Sequence, residues 1–550
     1  MTSASRTRPR THTPSRLWGP EPTAPDAATL ADVLLRAARG SSGGITYVRD
    51  ADTEERQSYG ALAHDAARIL GGLRERGARR GDKVIAKVAD EPDLLALFWA
   101  CMLGGLTPLP LGTGSGAPHP AALDELWQPG DRVWIVDDGP QPGPASARAE
   151  RLGSIGDLRA ADSRTDFTPG GLDDLALLLL TSGSTGTPKA VMLTHRNLLA
   201  RTEATVRAAG LDRTMRSFNW MPLDHVGGLV MFHLRDTYLQ CEQAHARIQW
   251  ILDDPLRWID QMSRRGSTAT WAPNFAFGLV NDNASRMAGR DWDLSALTYI
   301  MNGGEAIKPA VLQRFLRLLH PFALPADAIC PGWGMSETSS GIVDCRFEPG
   351  AAGAGRFISV GRPHPGVGLR VVDEFDEVLP EGEQGLLQAS GAPVFGGYYN
   401  NPEVNDRTFT ADGWFRTGDL AYIEDGRLTV TGRDGDTVVV AGEARHGHEI
   451  ESTVEELDGV EPSYTVACAV DPADGDSGLA VFYHPRAGAD TALLDKEIRD
   501  AVRAVHGLEA RHVVPVTRAD VPKTGIGKLR RTLLSRRFEA GEFSTSGGRP

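Results

Sequence analysis

The pattern that most limits the possible folds is an alternation of helix-like and strand-like segments from about residue 28 to residue 430. Residues 59–76 show the spacing of an amphipathic helix, and residues 84–88 then show that of a strand. Residues 175–180 form a continuous apolar run, which is typical of a strand covered on both faces. Thr194 is placed to cap a helix over residues 196–209. The alternation predicts an α/β fold with mainly parallel sheets covered by helices.

The pattern changes near residue 420, where short strands surround Asp-Gly turns and a smaller α+β segment follows. This change predicts a domain boundary close to residues 433–436. The residues before 27 are rich in Arg, Ser, Thr and Pro, as in a transit peptide, but a tail is favoured because no apolar helical face is present. The predicted divisions are a flexible tail at 1–26, a large domain at 27–433, a small mobile α+β domain at 434–538 and a flexible tail at 539–550.

The composition excludes several classes of protein. The 550 residues include 62 glycines and 35 prolines, which suits a multidomain globular chain with many backbone-lined loops. The formal net charge of −14 argues against general nucleic-acid binding. The five cysteines include no CxxC pair, which indicates a reducing compartment. The longest apolar run, 94–106, is shorter than the roughly 20 residues of a membrane span. We therefore predict a cytoplasmic protein without nucleic-acid or membrane partners.

The strongest local signal is a loop of small and hydroxyl-bearing residues over 181–189, TSGSTGTPK, directly after the apolar run. Glycine lets backbone N–H groups approach an anion closely, the hydroxyls add donors, and Lys189 adds a positive charge. The loop is not a Walker A loop, because Pro188 precedes the lysine and Ala190 follows it. The sequence therefore predicts a site for a polyphosphate.

Five further segments follow this loop: 303–305 (GGE), 332–337 (GWGMSE), 414–420 (WFRTGDL), 432–436 (GRDGD) and 522–531 (PKTGIGKLRR). In this order the six segments resemble the motifs of the adenylate-forming superfamily. That superfamily contains acyl-CoA synthetases, the adenylation domains of nonribosomal peptide synthetases, and luciferases. The resemblance covers roughly residues 28–536.

The resemblance implies that ATP activates a carboxylic acid as an acyl-adenylate. Lys528 matches the lysine that bridges the acid and the α-phosphate, Lys189 belongs to the phosphate loop, and Glu337 matches the Mg²⁺ ligand. These groups would offset the repulsion between carboxylate and triphosphate. No general base is needed, because a carboxylate is already ionised at neutral pH. Asp436 matches the hinge about which the small domain rotates.

The resemblance also implies a nucleotide-binding set. Trp333 would stack on adenine, Asp419 would accept hydrogen bonds from both ribose hydroxyls, and Arg433 would lie near the ribose. Ser336 replaces the usual threonine but keeps the hydroxyl. The full predicted set is Thr181, Ser182, Gly183, Ser184, Thr185, Gly186, Gly304, Glu305, Trp333, Ser336, Asp419 and Arg433.

The predicted acyl pocket begins at residues 222–228, PLDHVGG, where His225 matches the family's gating aromatic. Val226 stands where amino-acid-activating members place an aspartate for the substrate ammonium. No matched position is charged, and an unpaired ammonium would be costly there, so the sequence predicts a non-α-amino acid. Small residues suggest room for an acyl chain or a ring, and residues 271–277 supply either an apolar wall or ordinary core. The full predicted set is His225, Val226, Gly227, Val230, Ile300, Asn302, Gly332, Ser340 and Gly341.

The acceptor of the acyl group is a phosphopantetheine thiol, on CoA or on a carrier protein. Residues 219–228 and 239–243 resemble acyl-AMP ligases that prime polyketide or hybrid peptide assembly lines, which favours a separate acyl carrier protein. Ala444 and Gly447 replace the family's asparagine and proline in the segment that lines the thiol route. The nearby His446 and His448 are expected to lie in a solvated loop.

Three alternatives stay open at this point. The chain could be an acyl-CoA ligase that uses free CoA. It could instead perform one half-reaction, as the altered thiol segment suggests. It could also bind nucleotides without catalysis, although intact Lys528, Glu337 and Asp419 argue against that reading.

Overall fold

The computed structural model describes residues 13–113, 120–138, 148–160, 166–182, 188–349, 357–440, 443–472, 477–523 and 529–543. The elements up to residue 159 are β1 (Arg16–Trp18), α1 (Leu30–Gly40), β2 (Gly44–Val48), β3 (Glu54–Ser58), α2 (Tyr59–Glu75), β4 (Lys83–Lys87), α3 (Glu91–Gly104), β5 (Thr107–Pro110), β6 (Val133–Asp137), β7 (Ala149–Gly153) and α4 (Ile155–Arg159).

The elements of the middle of the chain are β8 (Leu175–Ser182), β9 (Pro188–Thr194), α5 (His195–Ala209), β10 (Arg216–Asn219), α6 (Arg235–Leu239), β11 (Glu242–Ala246), α7 (Ile248–Asp253), α8 (Leu256–Arg265), β12 (Ala269–Ala272), α9 (Asn274–Asp282), β13 (Tyr299–Asn302), α10 (Pro309–Leu319), β14 (Ile329–Met335) and β15 (Ser340–Asp344). A π-helix over Gly227–Leu234 leads into α6.

The last elements are β16 (Ser359–Pro363), β17 (Val367–Val372), β18 (Gly385–Gly391), α11 (Pro402–Thr408), β19 (Phe415–Glu424), β20 (Arg427–Arg433), β21 (Thr437–Val440), β22 (Glu443–His446), α12 (Gly447–Glu455), β23 (Val466–Val470), β24 (Gly478–Tyr483), α13 (Thr491–His506), β25 (Ala510–Pro515) and α14 (Arg531–Glu539).

The largest sheet is mixed, with the strand order β1-β17-β18-β19-β20-β16-β15-β14-β13-β12-β10-β11-β2-β3. The strands from β14 to β2 in this order pair in parallel, whereas those from β1 to β15 pair antiparallel. The predicted α/β class is confirmed, but fewer than half of the strand pairings in this sheet are parallel, and β2 and β3 at its far edge also pair antiparallel. The carboxyl ends of β10, β12, β13 and β14 meet at one edge, where ligands of such sheets commonly bind.

Three smaller sheets and a hairpin complete the strands of the described residues. β5-β4-β6-β7 is parallel, β23-β24-β25 is mixed, and β21-β22 is antiparallel. The apolar run at 175–180 becomes β8, which pairs antiparallel with β9 and not in parallel with a neighbour. β20, the last strand of the large sheet, ends at Arg433, and the domain division at 433/434 stays a prediction.

Local sequence signals explain the helix that follows β9. Thr194 accepts a hydrogen bond from Asn197 N, and the Asn197 side chain returns to the Thr194 backbone, so that both orphan donors are satisfied. Gly210 ends the helix in the left-handed conformation, with φ of 61°. The predicted helix over 196–209 is therefore confirmed, one residue longer at its start.

The expected tail over residues 1–26 is wrong for its described part, residues 13–26. β1 pairs antiparallel with β17, and the backbone N–H of Ser15 donates to the carbonyl of Leu379 at 2.8 Å. A sheet edge accepts such a strand through backbone bonds, so no periodic apolar signal was needed. At the other end, Phe543 packs against a buried cluster that includes Phe538. Across the described ranges, no helix combines the length and apolar character that crossing a membrane requires.

Candidate active site

The carboxylate of Asp419 connects the residues predicted to hold the nucleotide. Asp419 lies on β19, is 6% exposed, and is paired in register with Arg433 on β20. Trp333 donates from Nε1 to Asp419 Oδ2 at 2.8 Å, and Arg433 donates from Nε to Oδ1 at 3.0 Å. Each carboxylate oxygen has two lone pairs, so each keeps one for a ribose hydroxyl. The structure therefore brings together three residues that the sequence assigned to ATP.

Glu337 and Lys189 are joined through Tyr398, which no sequence motif indicated. The Tyr398 hydroxyl donates to Glu337 Oε1 at 2.8 Å, and Lys189 Nζ lies 5.2 Å from the centroid of the Tyr398 ring. An antiparallel bridge between Val191 and Tyr398 fixes this position. Burial raises the pKa of Glu337, and the Tyr398 hydrogen bond opposes that rise. The three aromatic residues within positions 395–399 were the available signal.

The setting of Glu337 fits a Mg²⁺ ion shared with a triphosphate. Within the described ranges, no group of three His, Cys, Asp or Glu side chains could hold an ion alone. Mg²⁺ typically takes one or two carboxylates together with phosphate oxygens. A buried carboxylate also gains from a nearby cation, because the cation favours its charged form. Glu337 therefore fits as the protein ligand of such an ion.

The turn after β13 is held by Glu305. Gly304 adopts a φ of +86°, which favours glycine, and Glu305 Oε1 accepts from the backbone N–H of Phe275 at 2.6 Å. Phe275 lies in the first turn of α9, so Glu305 satisfies a donor that the helix leaves free. The segment predicted to lie beside adenine is thus fixed to a helix start.

The phosphate loop is described only at its two ends. Thr181 Oγ1 donates to the Lys189 carbonyl at 3.5 Å, and the backbone of Ser182 ends β8. Ser336 opens a short 3-10 turn whose last bond runs from Ser339 N to the Ser336 carbonyl at 3.0 Å. Outside the described residues lie four loop residues of the predicted nucleotide-binding set and the predicted catalytic lysine: Gly183, Ser184, Thr185, Gly186 and Lys528.

The residues predicted to line the acyl pocket have little exposed surface. Five of the six nonglycine residues, Val226, Val230, Ile300, Asn302 and Ser340, are each at most 6% exposed. The matched glycines are also buried, and His225 is partly exposed. His225 Nδ1 accepts from Gly227 N at 3.1 Å at the start of the π-helix. The pocket positions are therefore closely surrounded by protein.

Neighbouring side chains fill the space beside three pocket glycines. A Cβ on Gly227 would lie 2.2 Å from the Trp271 ring, and a Cβ on Gly332 or Gly341 would lie 2.8 Å from Met301 Cε. The glycines therefore accommodate Trp271 and Met301, whereas the sequence suggested that they leave room for substrate. Met301 lies on β13 between Ile300 and Asn302, and the family resemblance named only these two neighbours.

The segment before Lys528 lies close to the turn that contains Glu305. Lys523 Nζ is 3.5 Å from the centroid of the Tyr464 ring. Burial lowers the pKa of Lys523 to about 8, while Glu305 and Glu455 oppose this. Lys308, which precedes α10, forms a 2.6 Å ion pair with Glu455 of α12. The small C-terminal elements thus contact the edge of the candidate site.

The hinge region packs more tightly than a solvated loop. The backbone of Asp436 ends the 3-10 turn between β20 and β21, and the side chain is not among the described atoms. The rings of His446 and His448 stack with centroids 5.5 Å apart, and burial lowers the pKa of His448 to about 3. A Cβ on Gly432 would lie 2.7 Å from His446 Nδ1. The expectation of a solvated histidine loop is wrong, because His446 packs against Gly432 and His448 stacks on His446.

Comparison with known proteins agrees with this arrangement. Residues 35–399 match the family described as AMP-binding enzyme. The nonribosomal peptide synthetase apvA of Aspergillus terreus is 31% identical over 538 residues, which cover 93% of this chain and 58% of that protein. The chain therefore spans less than two thirds of this curated relative.

Two solved structures share the fold over nearly the whole chain. The structure of McyG A-PCP complexed with phenylalanyl-adenylate is 35% identical, has a TM-score of 0.87, and covers 96% of this chain and 85% of its own. The adenylation, ketoreductase and pseudo Asub structure of a keto acid-selecting NRPS module is 34% identical, with a TM-score of 0.89, over 99% of this chain and 50% of its own. The chain belongs to the AMP-binding enzyme family, the adenylate-forming superfamily whose members activate acids as acyl-adenylates.

Proposed function

We propose that the chain uses ATP and Mg²⁺ to activate a carboxylic acid without an α-amino group, and passes the acyl group to the phosphopantetheine thiol of a separate carrier protein. The observation that carries this proposal is that the buried residue Val226 has no charge. It is 6% exposed, and by resemblance it stands where amino-acid-activating members place an aspartate that pairs with the substrate ammonium. A desolvated ammonium without a carboxylate partner would be strongly disfavoured there.

A 2-oxo acid is the class of acid that this site suits. The keto acid-selecting NRPS module is 34% identical to this chain, which supports the choice. A 2-oxo group is neutral, so it places no charge beside Val226. The McyG structure holds a phenylalanyl-adenylate instead, and a direct comparison of oxo and amino acids is therefore the decisive measurement.

The reaction needs positive charge and alignment but no proton transfer. A carboxylate oxygen of the acid bonds to the α-phosphorus of ATP as the bond to pyrophosphate breaks. Lys189 and, by resemblance, Lys528 would offset the negative charge that moves to pyrophosphate. Mg²⁺ held by Glu337 would add positive charge beside the triphosphate. Asp419 and Trp333 would fix the nucleoside for in-line attack.

The thiol step is supported by the carrier domain in the McyG structure. Attack of the thiol on the acyl carbon forms a thioester and releases AMP. Two functions compete with transfer to a carrier protein. The acceptor could be CoA, or the chain could perform only one of the two half-reactions. Ala444 and Gly447 in the thiol segment are the observation that keeps these candidates open.

The test is ATP–pyrophosphate exchange with matched pairs of 2-oxo and α-amino acids. We expect exchange with an oxo acid and none with its amino counterpart. Lys528→Ala should lose exchange by several orders of magnitude while still binding ATP. Amino-acid-dependent exchange would contradict the choice of acid, and near-normal exchange in Lys528→Ala would contradict the mechanism. Supplying the product with CoA or with a phosphopantetheinylated carrier then identifies the acceptor.

A further inference from the structure

Arg201 is a buried arginine without a carboxylate partner. It lies on α5, is 1% exposed, and forms no ion pair within the described ranges. Its Nε donates to the carbonyl of Gly341 at 3.2 Å, and its Nη1 is buried without a hydrogen-bond partner. Arginine is rarely buried unless it is paired, so a group absent from the free chain is the expected partner.

The position of Arg201 is next to the candidate acyl pocket. Gly341, which accepts its hydrogen bond, is one of the matched pocket residues. The Cε of Met301 lies 2.8 Å from the Cβ position of Gly341 and equally close to that of Gly332. The Met301 side chain therefore stands beside Gly341, whose carbonyl accepts the hydrogen bond from Arg201. Methionine is unbranched and adopts several rotamers, so this side chain can move aside at little cost.

A second arginine reinforces the positive charge. Arg235 is fully buried and pairs with Asp236 at 2.8 Å, and its Nη1 also has no hydrogen-bond partner. Burial, together with the charge of Arg235, lowers the pKa of Arg201 to about 10. The charges of Tyr299, Asp344 and Asp236 oppose this lowering, but none of these side chains forms a hydrogen bond or ion pair with Arg201. Asp344 is instead held by Tyr299, whose hydroxyl donates to it at 2.6 Å.

We propose that Arg201 binds an oxygen acceptor, a hydroxyl or a carboxylate, at the far end of the acid, and that Met301 moves to admit it. This rests on the proposed function, because it requires the acid to occupy this pocket. A hydrogen-bonding site of this kind rejects an analogue that lacks the oxygen, since the buried donor is then left unpaired. Arg201 is therefore a specificity-determining residue, and the acid carries two polar ends.

A purely structural role for Arg201 makes a different prediction. If Arg201 served only to hold the Gly341 carbonyl, its loss would lower stability and slow all acids alike. An unpaired buried charge that is replaced by an apolar residue of similar size is instead expected to leave stability unchanged or raised. Stability and selectivity therefore separate the two roles.

The experiment compares acids that differ only in an oxygen-bearing group at the distal end. ATP–pyrophosphate exchange is measured with 2-oxoglutarate against 2-oxopentanoate, and with 4-hydroxyphenylpyruvate against phenylpyruvate. The first pair tests recognition of a distal carboxylate, and the second pair tests recognition of a distal hydroxyl. We expect a preference of about tenfold or more in kcat/KM for the oxygen-bearing member of one pair. Arg201→Met should reduce that preference to less than about twofold.

A matched control is available on the same helix. Arg207 is paired with Glu203, and its side chain is 60% exposed, so Arg207→Met should keep the wild-type preference. Arg201→Lys retains a hydrogen-bond donor, so this variant should keep part of the preference for the oxygen-bearing acid. The melting temperature of Arg201→Met should not fall. If Arg201→Met fails to fold, Met301→Ala is the second test. This variant should use the longer, oxygen-bearing acid of each pair faster than the wild type does.

Two outcomes would overturn the proposal. One is equal use of both members of both pairs by the wild type. The other is a preserved preference in Arg201→Met. A different result would contradict the proposed function: no oxo acid would support ATP–pyrophosphate exchange, whereas an amino acid would. In that case glutamate against norvaline, and tyrosine against phenylalanine, test Arg201 with the same side chains.

Discussion

The hydroxyl of Tyr398 donates a 2.8 Å hydrogen bond to Oε1 of Glu337, and the Lys189 ammonium lies above the same tyrosine ring. One side chain thus orients both the candidate metal ligand and the lysine of the phosphate loop. The bond is made to a buried carboxylate whose pKa is raised by its surroundings. Tyr398 is therefore expected to keep Glu337 charged and aimed at Mg²⁺.

Replacing Tyr398 by phenylalanine should weaken ATP activation and change its pH dependence. Because the hydroxyl lowers the pKa of Glu337, its removal should raise that pKa further. The acid limb of the profile of kcat/KM for ATP should then move to higher pH. A lost bond to a charged group corresponds to about a tenfold decrease. Tyr399→Phe, which removes a bond to Asp131, is the control, and equal profiles for both variants would contradict the role of Tyr398.

The ion pair between Lys308 and Glu455 should hold the small C-terminal elements against the site. The two groups are 2.6 Å apart, and both are largely shielded from solvent. Lys308→Glu should repel Glu455 and slow adenylation by about three- to tenfold, with little change in the KM for ATP. The exchanged pair Lys308→Glu with Glu455→Lys should recover most of the rate. A double variant as slow as the single one would show that the pairing is not responsible.

Much of the fold could be predicted from periodicity and caps. The α5 helix and its Thr194 cap, the strand at 84–88 and the small α+β segment follow from local residue patterns. The antiparallel half of the large sheet could not be predicted, because strand pairing depends on contacts between residues far apart in sequence. β1 was missed for the same reason: its only signal is the backbone edge of β17.

The candidate site divides in a similar way. Asp419, Trp333 and Arg433, which the structure brings together, were predicted from motifs that keep their order along the chain. Tyr398 and Met301 were missed because their roles arise from packing between distant segments. The pocket glycines were misread, since a glycine in sequence looks like free space, whereas here a large neighbour requires it.

Glu91, at the start of α3, should make stability depend on pH. Burial raises the pKa of its carboxyl to about 7, from a usual value of 4.5. Arg247 and Arg49 oppose the rise and Asp90 adds to it. The folded chain holds this proton more tightly, so the contribution is complete below pH 4.5 and is lost as pH rises through about 7.

The measurement for Glu91 is the difference in melting temperature between Glu91→Gln and wild type at several pH values. Glutamine mimics the protonated carboxyl, so the variant should match wild type near pH 5 and exceed it at pH 8. Each pKa unit corresponds to about 1.4 kcal/mol, so a rise of a few degrees is expected. A difference that does not vary between pH 5 and pH 8 would show that Glu91 is not the titrating group.

Val226→Asp should redirect the site from oxo acids towards amino acids. The new carboxylate would stand at the position from which amino-acid-activating relatives pair with the substrate ammonium. In the free chain it would be a buried charge without a partner, so the variant should bind a cationic substrate in preference to a neutral one. Exchange with an oxo acid should fall by about 100-fold or more, since the carboxylate repels the acid's own charge. Exchange with the matching amino acid should appear. Val226→Asn has the same shape without the charge and should gain no amino-acid activity. If both variants behave alike, the absence of a charge at Val226 is not what selects the acid, and the selection must come from deeper in the pocket.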